Sequence, residues 1–195
     1  MTEKEKMLGG QIYNTLDPQL IEQYHKARRL IKDYNLLDSE DMVKREAILN
    51  ALLGEKGEKV WIEAPFFCDY GEHIHIGENT FVNMNCTFLD DNIIRIGKNG
   101  LIAPGVQIYT ASHPIKASER IRRPGEQASD EPIYRTSSKP VTIGDNVWIG
   151  GNVCIMPGVN IGDNVTIGAG AVVTKDIPDN VLAYGNPCRV IKSIE

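Results

Sequence analysis

From Ile143 to Asp176 a β-branched aliphatic residue returns at every sixth position: Ile143, Ile149, Ile155, Ile161, Ile167 and Val173. Four places after each of the first five stands a valine or alanine: Val147, Val153, Val159, Val165 and Ala171. Gly, Asn and Asp fill much of the space between. A fixed short period is the mark of a repeat architecture, and a period of six points to a parallel β-helix. Each hexad supplies one short strand and one corner. The opening aliphatic turns inward, and the Gly and Asn residues take the corner, where a positive φ costs them little. The same rhythm runs through Ile76, Val82 and Phe88, and again through Ile96, Ile102 and Ile108, with two extra residues between Phe88 and Ile96. An antiparallel sandwich would instead alternate with period two and space its turns irregularly. The pattern predicts coils of three hexads winding from Val60 to Tyr184. One long interruption separates Ile108 from Ile143, and a loop of that length inside a compact unit is usually functional or disordered.

Residues 1–57 carry a different period. Asp17-Pro18 reads as an N-cap followed by proline in the first turn. Leu20, Tyr24, Ala27, Leu30, Ile31 and Tyr34 then recur at threes and fours, predicting one helix with an apolar stripe. A second helix is predicted from a cap at Asp38 or Ser39, with Met42, Val43, Ala47, Ile48, Leu49 and Leu52 as its apolar side and Gly54 and Gly57 at its end. The division expected is a helical segment over 1–57 and a β-helix over 58–195, with a loop excursion at 114–140. The helices would cover the first coil, whose strand edges and core a solenoid must cap. The last residues, with Pro187, Arg189 and Lys192, would close the other end.

Composition narrows the function classes. Of 195 residues, 42% are hydrophobic and 24% charged, as in an ordinary globular chain, and the net charge of -5 argues against a nucleic-acid surface. No apolar run is long enough to cross a bilayer, and the charged start, Met-Thr-Glu-Lys-Glu-Lys, has no signal-peptide core. A cytoplasmic location is expected. Cys68, Cys86, Cys154 and Cys188 are scattered, without metal-ligand spacing, and read as reduced structural thiols. His73 and His75, two apart on a predicted strand, could form half a metal site, but no further histidine stands within a few residues of His113; no metal is expected.

His113 is the candidate centre. It sits in Tyr-Thr-Ala-Ser-His-Pro, where the last regular hexad enters the long loop. An imidazole, with an ordinary pKa near ~6.5, suits activation of a hydroxyl at neutral pH; the plain alternative is a solvated loop histidine. The loop beyond it is dense in charge: Arg120, Arg122, Arg123, Glu126, Asp130, Glu131 and Arg135.

Several stretches together resemble one family: Met7-Leu-Gly-Gly-Gln-Ile-Tyr, Cys68-Asp-Tyr-Gly, Ile74-His-Ile-Gly, Asn83-Met-Asn, Thr110-Ala-Ser-His-Pro, Val147-Trp-Ile-Gly, Val173-Thr-Lys-Asp-Ile-Pro and Gly185-Asn-Pro-Cys-Arg-Val. Nearly the whole chain is similar to the maltose, galactoside and nodulation-factor O-acetyltransferases, which are hexapeptide-repeat acyltransferases. The resemblance implies a left-handed parallel β-helix; sequence period does not give the hand, and the usual right-handed crossover rule would argue against it. It implies direct acetyl transfer from acetyl-CoA to a sugar hydroxyl with His113 as general base and no acyl-enzyme. Glu126, or failing that Glu131, is implied to orient that base. Asp69, Asn83 and Asp91 are implied to hold the acceptor, with Asp17 possible at the same pocket or simply a helix cap; for Asn83 and Asp91 the alternative is corner chemistry. Gly151 and Ala169 are implied to flank the pantetheine arm, Trp148 to pack along the coenzyme groove or serve as an interface aromatic, and Thr174, Lys175, Arg189 and Lys192 to lie near the nucleotide phosphates, where cations suit anions. A homotrimer with sites between subunits is implied as well. Two rivals remain: an antibiotic or amine acetyltransferase on this scaffold, and a non-catalytic β-helix used for binding.

Overall fold

The computed structural model describes residues 1–123, 125–126 and 131–194; Asp130 of the charged loop lies outside them. The hexads wind as expected into a parallel β-helix with three sheet faces. The first face stacks Glu55–Lys56, Ile74–Ile76, Ile94–Ile96, Val141–Ile143 and Asn160–Ile161. The second stacks Trp61–Ile62, Phe81–Val82, Leu101–Ile102, Trp148–Ile149, Thr166–Ile167 and Val181–Tyr184. The third stacks Phe66–Cys68, Cys86–Leu89, Gln107–Tyr109, Cys154–Ile155 and Val172–Val173. Every step within these stacks is parallel and in register, so that Ile76 sits over Ile96 and Ile96 over Ile143. The residues opening the hexads, among them Ile102, Ile108, Ile149, Ile155 and Val173, have no exposed surface. The interruption between Ile108 and Ile143 leaves the stack untouched, because Val141–Ile143 pairs directly with Ile94–Ile96 across it.

The corner between the first and second faces explains why Gly-Asp-Asn recurs. Asn79, Asn99, Asn146, Asn164 and Asn180 stand one above another with φ between 55° and 58°, and each of the first four amides donates to the next at 2.9–3.2 Å. Asparagine tolerates that backbone and gains a ladder by adopting it. Where Asp precedes the Asn, at 145, 163 and 179, its carboxylate reaches back one coil: Asp163 Oδ1 accepts from the Asp145 amide at 2.7 Å. A Cβ on Gly144 would stand 2.2 Å from that same oxygen, so the glycine makes room for the carboxylate.

Three helices cap the start. α1 spans Glu3–Leu8, α2 Pro18–Asn35 and α3 Met42–Leu52. Asp17 caps α2, its carboxylate accepting from the Gln19 and Leu20 amides. The cap of α3 is Asp41, not Asp38 or Ser39, because Asp38 to Asp41 form a turn ahead of the helix and the Asp41 carboxylate takes the Lys44 amide. The buried stripe of α3 also differs from the expected one. Met42, Val43 and Ala47 face out, whereas Arg45, Leu49 and Leu52 face in. Arg45 can be buried because its guanidinium donates to Tyr34 Oη and the Ile62 carbonyl and lies over the Tyr34 and Trp61 rings. Ala27, Ile31 and Tyr34 of α2, with Leu49 and Leu52 of α3, join the coil interior in one continuous core. At the far end Arg189–Ser193 runs antiparallel to Val181–Tyr184 and covers that sheet edge.

Candidate active site

The site is built where the third face turns into the first. There Asp69 and Asp91 follow successive strands, Ser112 and His113 follow the third, and Met156 and Thr174 follow the fourth and fifth. At the third of these corners the chain leaves as an arm. Ala111–Ser112 pairs antiparallel with Ser137–Ser138 at the base, and Ile121 bridges Tyr134 further out. Three arginines hold the arm together. Arg120 donates to the Pro114 and Ile115 carbonyls, Arg122 to the Pro132 carbonyl and the Glu131 carboxylate, and Arg135 to the Glu119 carbonyl.

His113 is exposed at the root of this arm. Its Nδ1 lies 2.9 Å from the carbonyl oxygen of Arg135. A carbonyl can only accept, so Nδ1 carries the proton and Nε2 of the neutral ring is the free basic nitrogen. His113 lines a groove of about 450 Å³ with Ser112, Pro114, Ile115, Ser137, Lys139, Met156, Pro157 and Thr174. Glu126 does not touch the imidazole. Its carboxylate takes the Arg123 amide at 3.1 Å and the Arg135 guanidinium at 3.3 Å, and these donors hold it below the usual carboxylate range. It reaches His113 only through Arg135. Glu131, the second candidate, is on Arg122.

A second cleft, of about 380 Å³, opens beside the same corner between α2 and the first coils, lined by Thr15, Leu16, Leu20, Ile21, Tyr24, His25, Asp69, Tyr70 and Asp91. Two carboxylates thus meet under an apolar wall. Asp69 pairs with Arg28 at 3.0 Å, yet burial and the charge of Asp91 push it up to about 6. Asp91 is 8% exposed; burial raises it, against a hydrogen bond from Tyr13 and the nearby His73 and His113. Its Oδ1 accepts from Tyr13 Oη at 2.5 Å, and its Oδ2 has no partner among the described residues. Asp90, fully buried, is a structural anchor: it accepts from the Asp69 and Tyr70 amides and shapes the turn that carries Asp69. Asp17 spends its carboxylate on the helix cap and does not line the cleft, where Thr15 and Leu16 stand instead.

The remaining candidates lie elsewhere. Asn83, Gly151 and Ala169 are on the corner between the second and third faces, the opposite edge of the third face from His113. The amide of Gly170 donates to the Gly151 carbonyl, which stacks these two turns. A Cβ at Gly151 would meet only the Pro104 carbonyl, at 3.4 Å, so this chain leaves space there. Arg189 follows Cys188 near that edge, whereas Thr174 and Lys175 are exposed near His113. Lys175, Arg189 and Lys192 have no ion pair among the described residues. Trp148 is half exposed on the second face, in register with Leu101 and Thr166. His73 is buried, its Nδ1 on the Asp90 carbonyl at 2.7 Å, while His75 stands beside Glu55; no group of three metal-ligating side chains occurs among the described residues. No helix among them is long and apolar enough to cross a membrane.

Sequence reading missed Tyr13, Thr15, Tyr70, Lys139 and Met156. Tyr13 is 78 positions from Asp91, and no local pattern joins them. For Met156 a signal existed: it stands one coil below Thr174 in the repeat, so the period alone aligns them.

Residues 6–57 match the maltose acetyltransferase hexapeptide capping motif, and residues 140–175 the hexapeptide repeat of succinyl-transferase. The galactoside O-acetyltransferase of Escherichia coli (strain K12) is 41% identical over 194 residues, covering 100% of this chain and 90% of that protein. The crystal structure of a maltose O-acetyltransferase from Clostridium difficile 630 superposes with a TM-score of 0.92 at 50% identity, covering 100% of this chain and 98% of that one. A galactoside acetyltransferase in complex with coenzyme A gives 0.91 at 39% identity, covering 100% and 92%.

Proposed function

The chain belongs to the maltose and galactoside O-acetyltransferase family of hexapeptide-repeat acyltransferases and is an acetyltransferase; from that premise we propose that it moves the acetyl group of acetyl-CoA directly to a hydroxyl of a sugar, with His113 as general base. The observation that carries this reading is the fixed tautomer of His113. With Nδ1 committed to the Arg135 carbonyl, Nε2 faces outward as a proton acceptor at the root of a groove that continues to Thr174. An acceptor hydroxyl gives its proton to Nε2 as its oxygen attacks the thioester carbonyl; the proton then passes to the departing CoA thiolate. Cys154, whose strand leads into the groove, is raised above the ordinary thiol range by burial, which speaks against a thiolate intermediate.

Asp69 and Asp91, both lining the cleft, supply acceptors for the hydroxyls of a polyol. For the cosubstrate, Gly151 and Ala169 offer a turn without side-chain bulk beside the pantetheine arm, Trp148 an apolar wall, and Thr174, Lys175, Arg189 and Lys192 a hydroxyl and three unpaired cations for phosphates. Glu126 acts on the base at one remove, through Arg135. No metal enters this scheme. His113, Thr174 and Lys175 stand on one edge of the third face and Gly151 and Ala169 on the other, so one copy does not bring the base to that turn. A homotrimer, in which the His113 edge of one subunit meets the Gly151 edge of the next, does. The four free thiols fit a cytoplasmic enzyme.

The test is thiol release from acetyl-CoA in the presence of maltose, glucose, methyl galactoside or an amine panel. Release that depends on a sugar supports the reading; release driven only by amines would transfer the protein to the rival class.

A further inference from the structure

We propose that Tyr13 is a positioning residue that sets the acceptor-holding carboxylate Asp91 and the base His113 in one frame. The inference rests on the acceptor reading above. Tyr13 is 1% exposed and makes two separable connections. Its hydroxyl donates to Asp91 Oδ1 at 2.5 Å, which fixes the plane of a carboxylate that lines the cleft and leaves Oδ2 buried without a partner among the described residues. Its backbone amide donates to the Thr136 carbonyl at 3.2 Å, forming an antiparallel bridge to the strand that closes the arm. Thr136 directly follows Arg135, whose carbonyl holds His113 Nδ1, and Thr136 Oγ1 itself lies 3.5 Å from that nitrogen.

The segment bearing Tyr13 is anchored independently. Ser138 Oγ and Asn92 Nδ2 both bond the Met7 carbonyl, and Asn92 also reaches Leu8, so α1 is fastened to the base of the arm before the chain arrives at Tyr13. The N-terminal segment is therefore a brace between two loops, which also meet directly through Asn92 Nδ2 and Ser138 Oγ at 3.0 Å. A carboxylate held through one oxygen by a charge-assisted bond presents the other with a defined direction. An acceptor that donates to the Asp91 carboxylate is then aligned with respect to Nε2 of His113.

Tyr13→Phe removes the hydroxyl and keeps the ring and the amide bridge. The groups facing Asp91 are then Asp69 and Tyr70 of the preceding coil, Asp90 and His73 beside it, and His113. Steady-state kinetics are measured at a temperature where both proteins are folded, using whichever sugar the parent turns over, with CoA affinity by calorimetry. The expected result is a loss of about 10- to 100-fold in kcat/KM for the sugar, the span of one hydrogen bond to a charged group, with CoA affinity unchanged. The acid limb of the kcat/KM profile should move to higher pH, since Asp91 loses the donor that favours its charged form. A purely structural Tyr13 would lower thermal stability and leave both readouts as they were; kcat/KM within twofold of the parent and an unmoved acid limb overturn the proposal. His113→Ala, run alongside, separates the two readings. An inactive His113→Ala with an indifferent Tyr13→Phe sinks only this inference, whereas a fully active His113→Ala, or a parent that acetylates no sugar, sinks the reading beneath it as well.

Discussion

His113 Nδ1 donates to the carbonyl oxygen of Arg135 across 2.9 Å, and Thr136, the next residue, is clamped to Tyr13. The imidazole proposed as base is therefore oriented by main chain, not by a carboxylate. A backbone carbonyl holds a tautomer without adding charge, so it fixes which nitrogen is basic and leaves the other chemistry to the cleft.

Glu126→Gln follows from this arrangement. Glu126 is exposed and meets Arg135 through a single contact at 3.3 Å, a solvent-screened surface ion pair of the kind that contributes little. Turnover should fall less than about fivefold. A drop of a hundredfold or more, measured at saturating coenzyme, would show that Glu126 contacts the imidazole during the reaction.

Asp69 makes stability depend on pH. Its folded value of about 6 lies above that of an unfolded carboxyl, so between the two the folded chain holds a proton that the unfolded chain has lost. Stability is then full below roughly pH 4 and falls as pH rises to about 6, by at most roughly 3 kcal/mol. Urea unfolding of the parent and Asp69→Asn at pH 4.5 and 7.5 isolates this contribution. The variant should gain on the parent at the higher pH; a difference that does not change with pH contradicts the assigned environment.

The asparagine ladder predicts a graded response at Asn146. Alanine loses two ladder bonds and must still adopt φ 58°, at a combined cost of about 2–3 kcal/mol. Glycine loses the bonds but accepts the backbone, and should cost about 1 kcal/mol. Denaturant midpoints give the order; equal costs would mean that backbone strain contributes nothing.

These corners also show how far the sequence could be read. The period of six identified the strands, the inward aliphatics and the corner residues, because each coil repeats one local rule and touches only its neighbours. Helix α3 was misjudged where tertiary structure overrides pattern: Arg45 is buried because Tyr34 and Ile62 await its guanidinium, and no helical periodicity announces such a partner. Among the candidate site residues, His113 was legible at the break in the repeat, whereas Asp69 and Asp91 came only through the family resemblance. Tyr13 was not legible, since its role depends on a segment far away in the chain folding back over two loops.

Division of the site between two edges of one face gives a complementation test. His113→Ala spoils one edge and Gly151→Trp the other. Mixed and reassembled in equal amounts, random trimers should restore about a quarter of the sites, each pairing an intact edge from either parent. No activity in the mixture, or a fully active monomer by sedimentation, would contradict a site shared between subunits.

The most direct measurement is the turnover of His113→Ala with acetyl-CoA and an accepted sugar, paired with calorimetric CoA affinity. The imidazole acts on the acceptor proton alone, so kcat should fall by about a hundred- to ten-thousandfold. CoA affinity and fold stability should hold, because His113 is exposed and buries no core area. Turnover within threefold of the parent would contradict general-base catalysis by His113, and lost CoA affinity with normal turnover at saturating coenzyme would make it a binding residue instead.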